Sequence, residues 1–313
     1  MKKYIIVTYL FVCLFLVIAC GSTSNSDSAV PVNENKSVSD TSDNSKSQEV
    51  TKDEEEALPT ETEKEFVTVD EQVILDQDGV KVTLKSLSND DFFGPSLDVL
   101  VENNTDKSIT VQSRNTTIND VMVETLFSCD VAAGKKANDE ITFMDSDLKT
   151  AQIETIKDIE LVLHIFDTDT WDTIFDSDTI NITTSADPSF LQEYDDSGFV
   201  ALDQNDIKIV IKKLDSEDSF WGADIYVYIE NNSQSNATIQ LRDVSINGFM
   251  TDPIFSCDVV AGKKAFDTIS FLESDLADND IQSIDELEFA FHIYNMDNWN
   301  AIYDSEVISV SFE

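Results

Sequence analysis

The chain matches itself at a fixed offset, and this internal duplication is the strongest constraint on its fold. Glu102-Asn103-Asn104 returns as Glu230-Asn231-Asn232, and Phe127-Ser128-Cys129-Asp130-Val131 as Phe255-Ser256-Cys257-Asp258-Val259. Gly134-Lys135-Lys136-Ala137 returns as Gly262-Lys263-Lys264-Ala265, and Ser146-Asp147-Leu148 as Ser274-Asp275-Leu276. His164-Ile165 matches His292-Ile293, and Trp171 matches Trp299. The offset is 128 over this stretch and 127 earlier, where Leu75-Asp76-Gln77 matches Leu202-Asp203-Gln204. Units of roughly 110–120 residues are of domain size and too long for a solenoid, so two domains in a row are expected. The spans are 66–185 and 199–313, with a connection over 186–198 that carries Phe190, Leu191 and Tyr194 and is expected to pack on one domain.

Each unit reads as short strands between polar turns. Val80-Lys81-Val82-Thr83-Leu84 alternates, Leu97 to Val101 and Ile109-Thr110-Val111 follow, and Asn103-Asn104 lies between them as a turn. Asn247-Gly248 is a two-residue hairpin signal, with Asn119-Asp120 as its weaker counterpart. A short helix is expected from Ser146, which with Asp147 could cap it. About eight strands per unit predict an all-β protein of two tandem antiparallel immunoglobulin-like sandwiches, each with one short helix. Period two puts Phe127, Cys129 and Val131 on one face, so the cysteines read as small core residues. Cys129 and Cys257 fall in separate repeats, which rules out a disulfide within either. Leu161, Leu163 and Ile165 face inward, while Glu160, Val162, His164 and Phe166 face outward.

The N-terminus carries an address. Lys2 and Lys3 precede an uncharged apolar run from Tyr4 to Ala19, sixteen residues that suit a signal-peptide core better than a bilayer span of roughly 20. Leu16-Val17-Ile18-Ala19-Cys20-Gly21 resembles the lipobox of bacterial lipoproteins. The resemblance implies a signal peptide over 1–19, cleavage before Cys20, and a thioether-linked lipid on that cysteine. Residues 20–65 are Ser-, Asp- and Glu-rich with too little apolar surface to order themselves, and read as a disordered tether spanning roughly 35–40 Å. The expected location is the extracellular face of the cell membrane, with the membrane as the first partner. Net charge is −42, or −44 once Lys2 and Lys3 leave with the signal. Such a surface repels phosphate backbones, which excludes nucleic acid as a partner.

The candidate chemistry is sparse. The two histidines, His164 and His292, each follow a glutamate by four residues, about 13 Å along a strand and too far for a direct pair. They read as exposed or half-covered sheet residues. Asp167, Asp169 and Asp172 crowd the last hairpin of the first unit and are weak calcium candidates against a reading as solvated turn acids. Lys135-Lys136 and Lys263-Lys264 are basic spots, read as soluble turns or as contacts to an anionic wall polymer. Phe92, Phe93, Phe220, Trp221, Trp171 and Trp299 lie in loops, where aromatics serve either as recognition anchors or as plugs of a sandwich end. No phosphate loop, nucleophile elbow or zinc spacing stands in the chain, and no cofactor or catalytic residue is expected.

Phe127 to Ala137, the Glu-Asn-Asn turn and the segment His164-Ile165-Phe166 to Trp171-Asp172 resemble an uncharacterised immunoglobulin-like repeat domain of lipoproteins and zinc-ribbon-bearing surface proteins of Gram-positive bacteria. The resemblance covers both units and implies a β-sandwich outside the cytoplasm. It carries no activity and no functional residues. The expected function is a surface binding module for a protein or glycan. A structural spacer without a discrete ligand is the alternative, and an enzyme on wall material a third.

Overall fold

The structure is a computed structural model and describes residues 66–89, 92–215 and 222–312. The expected signal peptide, Cys20, the tether, Phe220 and Trp221 lie outside the described residues.

The first repeat runs β1 (Gln72–Gln77), β2 (Val80–Ser88), β3 (Ser96–Asn103), β4 (Ile109–Ile118), β5 (Val121–Met122), β6 (Thr125–Leu126), β7 (Ser128–Val131), β8 (Lys136–Phe143), α1 (Asp145–Thr150), β9 (Asp158–Asp167), β10 (Thr173–Asp176) and β11 (Ile180–Thr183). The second runs β12 (Phe199–Gln204), β13 (Ile207–Asp215), β14 (Gly222–Asn231), β15 (Ala237–Ile246), β16 (Phe249–Met250), β17 (Ser256–Val259), β18 (Lys264–Leu272), α2 (Glu273–Asp278), β19 (Glu286–Asn295), β20 (Ala301–Asp304) and β21 (Ile308–Ser311). The extra strands over the eight expected are mostly pieces of two to four residues.

In the first repeat one sheet has the order β1-β2-β3-β8-β6 and the other β10-β9-β4-β5, with β7 along β4 and β11 along β9. The second repeat keeps the scheme, with β12-β13-β14-β18 facing β16-β15-β19-β20. The fold is the all-β immunoglobulin-like sandwich expected from the strand pattern. The alternation explains it: Leu161, Leu163 and Ile165 of β9 and their counterparts Phe289, Phe291 and Ile293 of β19 are buried. Each such side chain contributes about 1.5–3 kcal/mol by leaving water. They fill two cores, one per repeat. Cys129 and Cys257 are free and sit in these cores. Burial pushes the Cys129 thiol up to about 12 and the Cys257 thiol well above its usual value, which keeps both protonated and unreactive.

The helices depart from the sequence reading. α1 starts at Asp145 with Met144 as its N-cap, and no side chain caps it. The Asp147 carboxylate accepts instead from the Glu124 N–H at 2.7 Å, joining the helix to the strand side.

The repeated Glu-Asn-Asn motif has a structural reason. Asn103 is fully buried, and its Nδ2 donates to Lys107 O at 2.7 Å and Val131 O at 2.8 Å. Its Oδ1 accepts from Thr105 N at 2.9 Å and Thr105 Oγ1 at 2.7 Å. Asn231 does the same with Ser235, Val259 and Ser233. One amide thus closes the β3–β4 turn and ties it to β7, using both donors and both acceptor lone pairs.

The repeats meet through a specific joint. Lys264 at the head of β18 pairs in parallel with Val121 of β5, and its N–H donates to Asp120 O at 2.9 Å. The Lys263 ammonium, only 12% exposed, sits 2.6 Å from Asp120 Oδ1 and 2.7 Å from Glu160 Oε1. Burial alone would lower its pKa, but hydrogen bonds to the two carboxylates outweigh that and raise it. Met122 packs on the second core and Phe266 on the first. Lys263-Lys264 is therefore a joint between repeats, not a solvated turn. The sequence pattern concealed this because the same pair in the first repeat is exposed.

The connection, expected on one domain, is bonded to both. Phe190 O accepts from Lys157 Nζ, and the Tyr194 hydroxyl donates to Asn119 O. On the other side Lys212 Nζ donates to Asp195 O at 2.6 Å and Ser197 O at 3.0 Å, and Lys264 lies over the Tyr194 ring.

Replacing Asn103 by Ala is expected to cost about 3 kcal/mol, because it leaves buried carbonyls and an N–H unpaired. Asn103→Asp is expected to cost more at neutral pH, since a carboxylate would face two carbonyls. Urea unfolding of both variants checks this; losses below about 0.5 kcal/mol would contradict the role given to the amide.

Candidate functional site

The most distinctive surface feature is a ladder of three rings on the outer face of β9, repeated on β19. His164 and Phe166 alternate outward, with ring centroids 5.3 Å apart. Trp171, from the β9–β10 loop, stacks on Phe166 at 5.6 Å and 17°. In the second repeat the centroids of His292 and Tyr294 are 5.5 Å apart, and Trp299 stacks on Tyr294 at 5.4 Å and 18°. The covered rings differ in chemistry, the geometry does not. The tryptophans are 76% and 75% exposed, so each presents a ring face to solvent. They do not plug a sandwich end.

The loops hold the tryptophans in a left-handed backbone, with φ of 65° at Trp171 and 61° at Trp299. A bulky residue there costs about 1–2 kcal/mol against Gly or Asn. The Trp171 N–H donates to Asp167 O at 2.8 Å and the Asp167 N–H to Asp172 O at 3.0 Å. Trp299 and Asn295 repeat both bonds, with Asn300 as the second acceptor. Asp167 Oδ1 accepts from Asp169 N at 3.0 Å and Thr170 N at 3.2 Å. Asn295 Oδ1 makes the same pair of bonds to Asp297 N and Asn298 N. The two side chains do one job, building the turn.

This bears on the calcium candidates. Asp167 is a turn-former whose other oxygen takes Lys107 Nζ at 2.9 Å, and that hydrogen bond holds its carboxyl below the usual range. Asp172 accepts from Thr170 Oγ1, and Asp169 contributes its backbone N–H. Among the described residues no three His, Cys, Asp or Glu side chains are placed to hold one metal ion.

The histidine partners escaped a reading made along the strand. His164 Nδ1 lies 2.5 Å from Asp176 Oδ1 across the β9–β10 hairpin, and His292 Nδ1 lies 2.5 Å from Asp304 Oδ1 across β19–β20. The hydrogen bond from His292 holds the Asp304 carboxyl below its ordinary value, with Arg242 adding to it. The signal was present: each histidine precedes an aspartate by twelve residues in both repeats. His164 is buried rather than half-covered, because Phe166 and the hairpin close over it.

Phe92 and Phe93 stand apart from the ladder. They precede β3 and pack edge to face with each other at 5.2 Å, and Phe92 is 94% exposed. Phe93 O accepts from the Asp145 N–H at 2.8 Å, which ties the loop to α1. Gly94 permits that contact: with φ of 144°, a Cβ there would lie 2.1 Å from Phe143 O. Trp171 lies near the opposite end of β3, where Asn103 and Lys107 meet the Asp167 turn. The structure thus does not bring the two aromatic sets of the first repeat together.

No family model matches the chain. No curated protein matches it either. Solved structures similar to it include the Salmonella enterica SafA pilin in complex with the SafB chaperone, at 11% identity over 69% of this chain and 89% of that one, with a TM-score of 0.19. The YadV chaperone is 12% identical over 69% and 92%, with a TM-score of 0.21. The CsuC-CsuE chaperone–tip adhesion subunit complex of Acinetobacter baumannii is 11% identical over 68% and 90%, with a TM-score of 0.19. At these identities and scores nothing of those proteins' roles carries over to this chain.

Trp171→Gly and Trp299→Gly should leave stability within about 1 kcal/mol of the parent, because relief of the left-handed strain offsets the lost stacking of about 0.5–1.5 kcal/mol. Ala at either place should be less stable than Gly. Thermal unfolding of the four variants tests this ordering; Ala above Gly would show that the backbone there is not strained.

Proposed function

We propose that the chain is a lipoprotein anchored by lipid to the extracellular face of the cell membrane, whose paired immunoglobulin-like domains recognise a partner at the cell surface. The order Lys2-Lys3, apolar run, Ala19-Cys20-Gly21 supports the anchor, and the acidic tether that follows supports display away from the membrane. Among the described residues no helix is long and apolar enough to cross a membrane.

One observation carries the binding reading: Trp171 and Trp299 are held out in water, on strained backbone, in the same stacked pose in both repeats. A fold has no need of an exposed tryptophan where Gly or Asn would be cheaper. Recognition has, since Trp brings a large rigid face and an indole N–H at little entropic cost. Two such platforms on one chain give avidity for a partner with repeated or extended chemistry, a surface protein or a glycan. The exposed Phe92–Phe93 pair supplies a second contact patch at the other end of the first repeat.

The test has two arms. Cys20→Ala should release the chain from the membrane fraction. Cross-linking pull-down from intact cells should then compare the parent with the Trp171→Gly, Trp299→Gly double variant, which the strain argument keeps folded. Partner recovery should fall about tenfold or more, the equivalent of some 1.4 kcal/mol. Equal recovery would favour the structural spacer instead.

A further inference from the structure

The joint between the repeats joins two different faces, so each repeat also owns the face that the other one uses. The residues of the strand contact have counterparts one period away. The first repeat contributes Asp120, Val121, Met122 and Glu160; the matching residues of the second are Gly248, Phe249, Met250 and Glu288. The second contributes Lys263, Lys264 and Phe266; the matching residues of the first are Lys135, Lys136 and Asn138. None of these counterparts takes part in the joint.

Both spare faces are open. Val121 is 1% exposed in the joint, whereas Phe249 and Met250 are 49% and 65% exposed. Among the described residues β16 bonds only β15, so its outer edge has no strand beside it. Lys135 and Lys136 are exposed, and β8 bonds β6 only at Phe143 and Thr142, far from Lys136. The spare faces also complement each other in bulk. In the joint a small Val121 meets a β18 that carries Phe266. Across the spare pair the large residue is on the other side: Phe249 replaces Val121, and Asn138 replaces Phe266. Beside Asn138 lies a depression of about 240 Å³, lined by Lys85, Asp98, Val99, Asn138, Asp139 and Glu140. It stands on the face that Tyr226 and Phe266 occupy in the second repeat. One charge pair is kept, Lys135 with Glu288 in place of Lys263 with Glu160, while Gly248 drops the carboxylate of Asp120.

We infer that copies of this chain associate head to tail, the β16 edge of one seating on the Lys135-Lys136 turn and β8 depression of the next. The contact is heterologous, and it leaves one free face of each kind at the ends of a dimer, so it extends into chains rather than closing as a pair. With one ion pair fewer than the joint and a large negative charge on each copy, it is a weak contact. It needs ionic strength to screen the long-range repulsion and the high local concentration of a surface.

The test places a photo-crosslinking amino acid at Phe249 in the full chain, an exposed site whose replacement spares the core. Heavy-nitrogen and ordinary copies are mixed on vesicles and irradiated, and cross-linked peptides are read by mass spectrometry. The inference expects mixed-isotope cross-links from position 249 to the stretch 135–143 of another copy. It expects these to fall at least fivefold with Asn138→Trp, which fills the depression, and with Glu288→Lys, and to return when Glu288→Lys meets Lys135→Glu. Cross-links from 249 to 249 would mean two-fold pairing and overturn the inference, as would a yield of none or an Asn138→Trp variant that cross-links like the parent.

Discussion

The arrangement of the second half of the molecule on the first depends on one largely covered ammonium. Lys263 reaches across the boundary between two copies of a sandwich and is held by Asp120 and Glu160 of the other copy. A charge removed from water is costly unless it is fully paired, so the site tolerates few other orientations of the repeats. The neighbouring backbone bond from Lys264, the packing of Met122 and Phe266, and the connection from Phe190 to Ser197 all fall in place around it. Among several dozen acids in this chain, the lysines are the scarce partners, and their positions decide the geometry.

Much of the fold was legible because it rests on period two and on duplication. The inward faces of β9 and β19 and the buried cysteines follow from alternation alone. The Asn119-Asp120 and Asn247-Gly248 turns appear with the positive φ values that such residues tolerate. What could not be read is what depends on neighbours across strands. His164 pairs with Asp176 through hairpin register, which a search along one strand misses. Asn103 looked like a turn residue, and its four bonds appear only when β7 is brought beside the turn. Trp171 sits at a position that local preference gives to Gly or Asn, so no propensity rule could place its ring on Phe166. Lys263 and Lys135 have the same sequence surroundings and opposite fates, because burial there is a property of the pair of repeats.

The duplication also sorts what is structural from what is free to vary. The Asn103 and Asn231 clamps, the core cysteines and the ladder with its left-handed tryptophan recur in geometry, with Tyr294 in place of Phe166 and Ser233 in place of Thr105. The joint residues do so only in part: Met122, Glu160, Lys263 and Lys264 have identical counterparts, but Asp120 becomes Gly248, Val121 becomes Phe249, and Phe266 stands where the first repeat has Asn138. Those three differences distinguish the inner contact from the outer faces. The parts kept in both copies include those that hold the sandwich shut and those that hold an aromatic ring in water.

Lys263 links the repeats, and a double-mutant cycle tests that link most directly. Unfolding free energies of the parent, Lys263→Met, Glu160→Gln and the double variant give the coupling between the two side chains. A desolvated pair of this geometry should show a coupling of about 1.5 kcal/mol or more. A coupling within about 0.3 kcal/mol of zero would mean that the pair is a solvated surface contact, and that the repeats are not joined in this way.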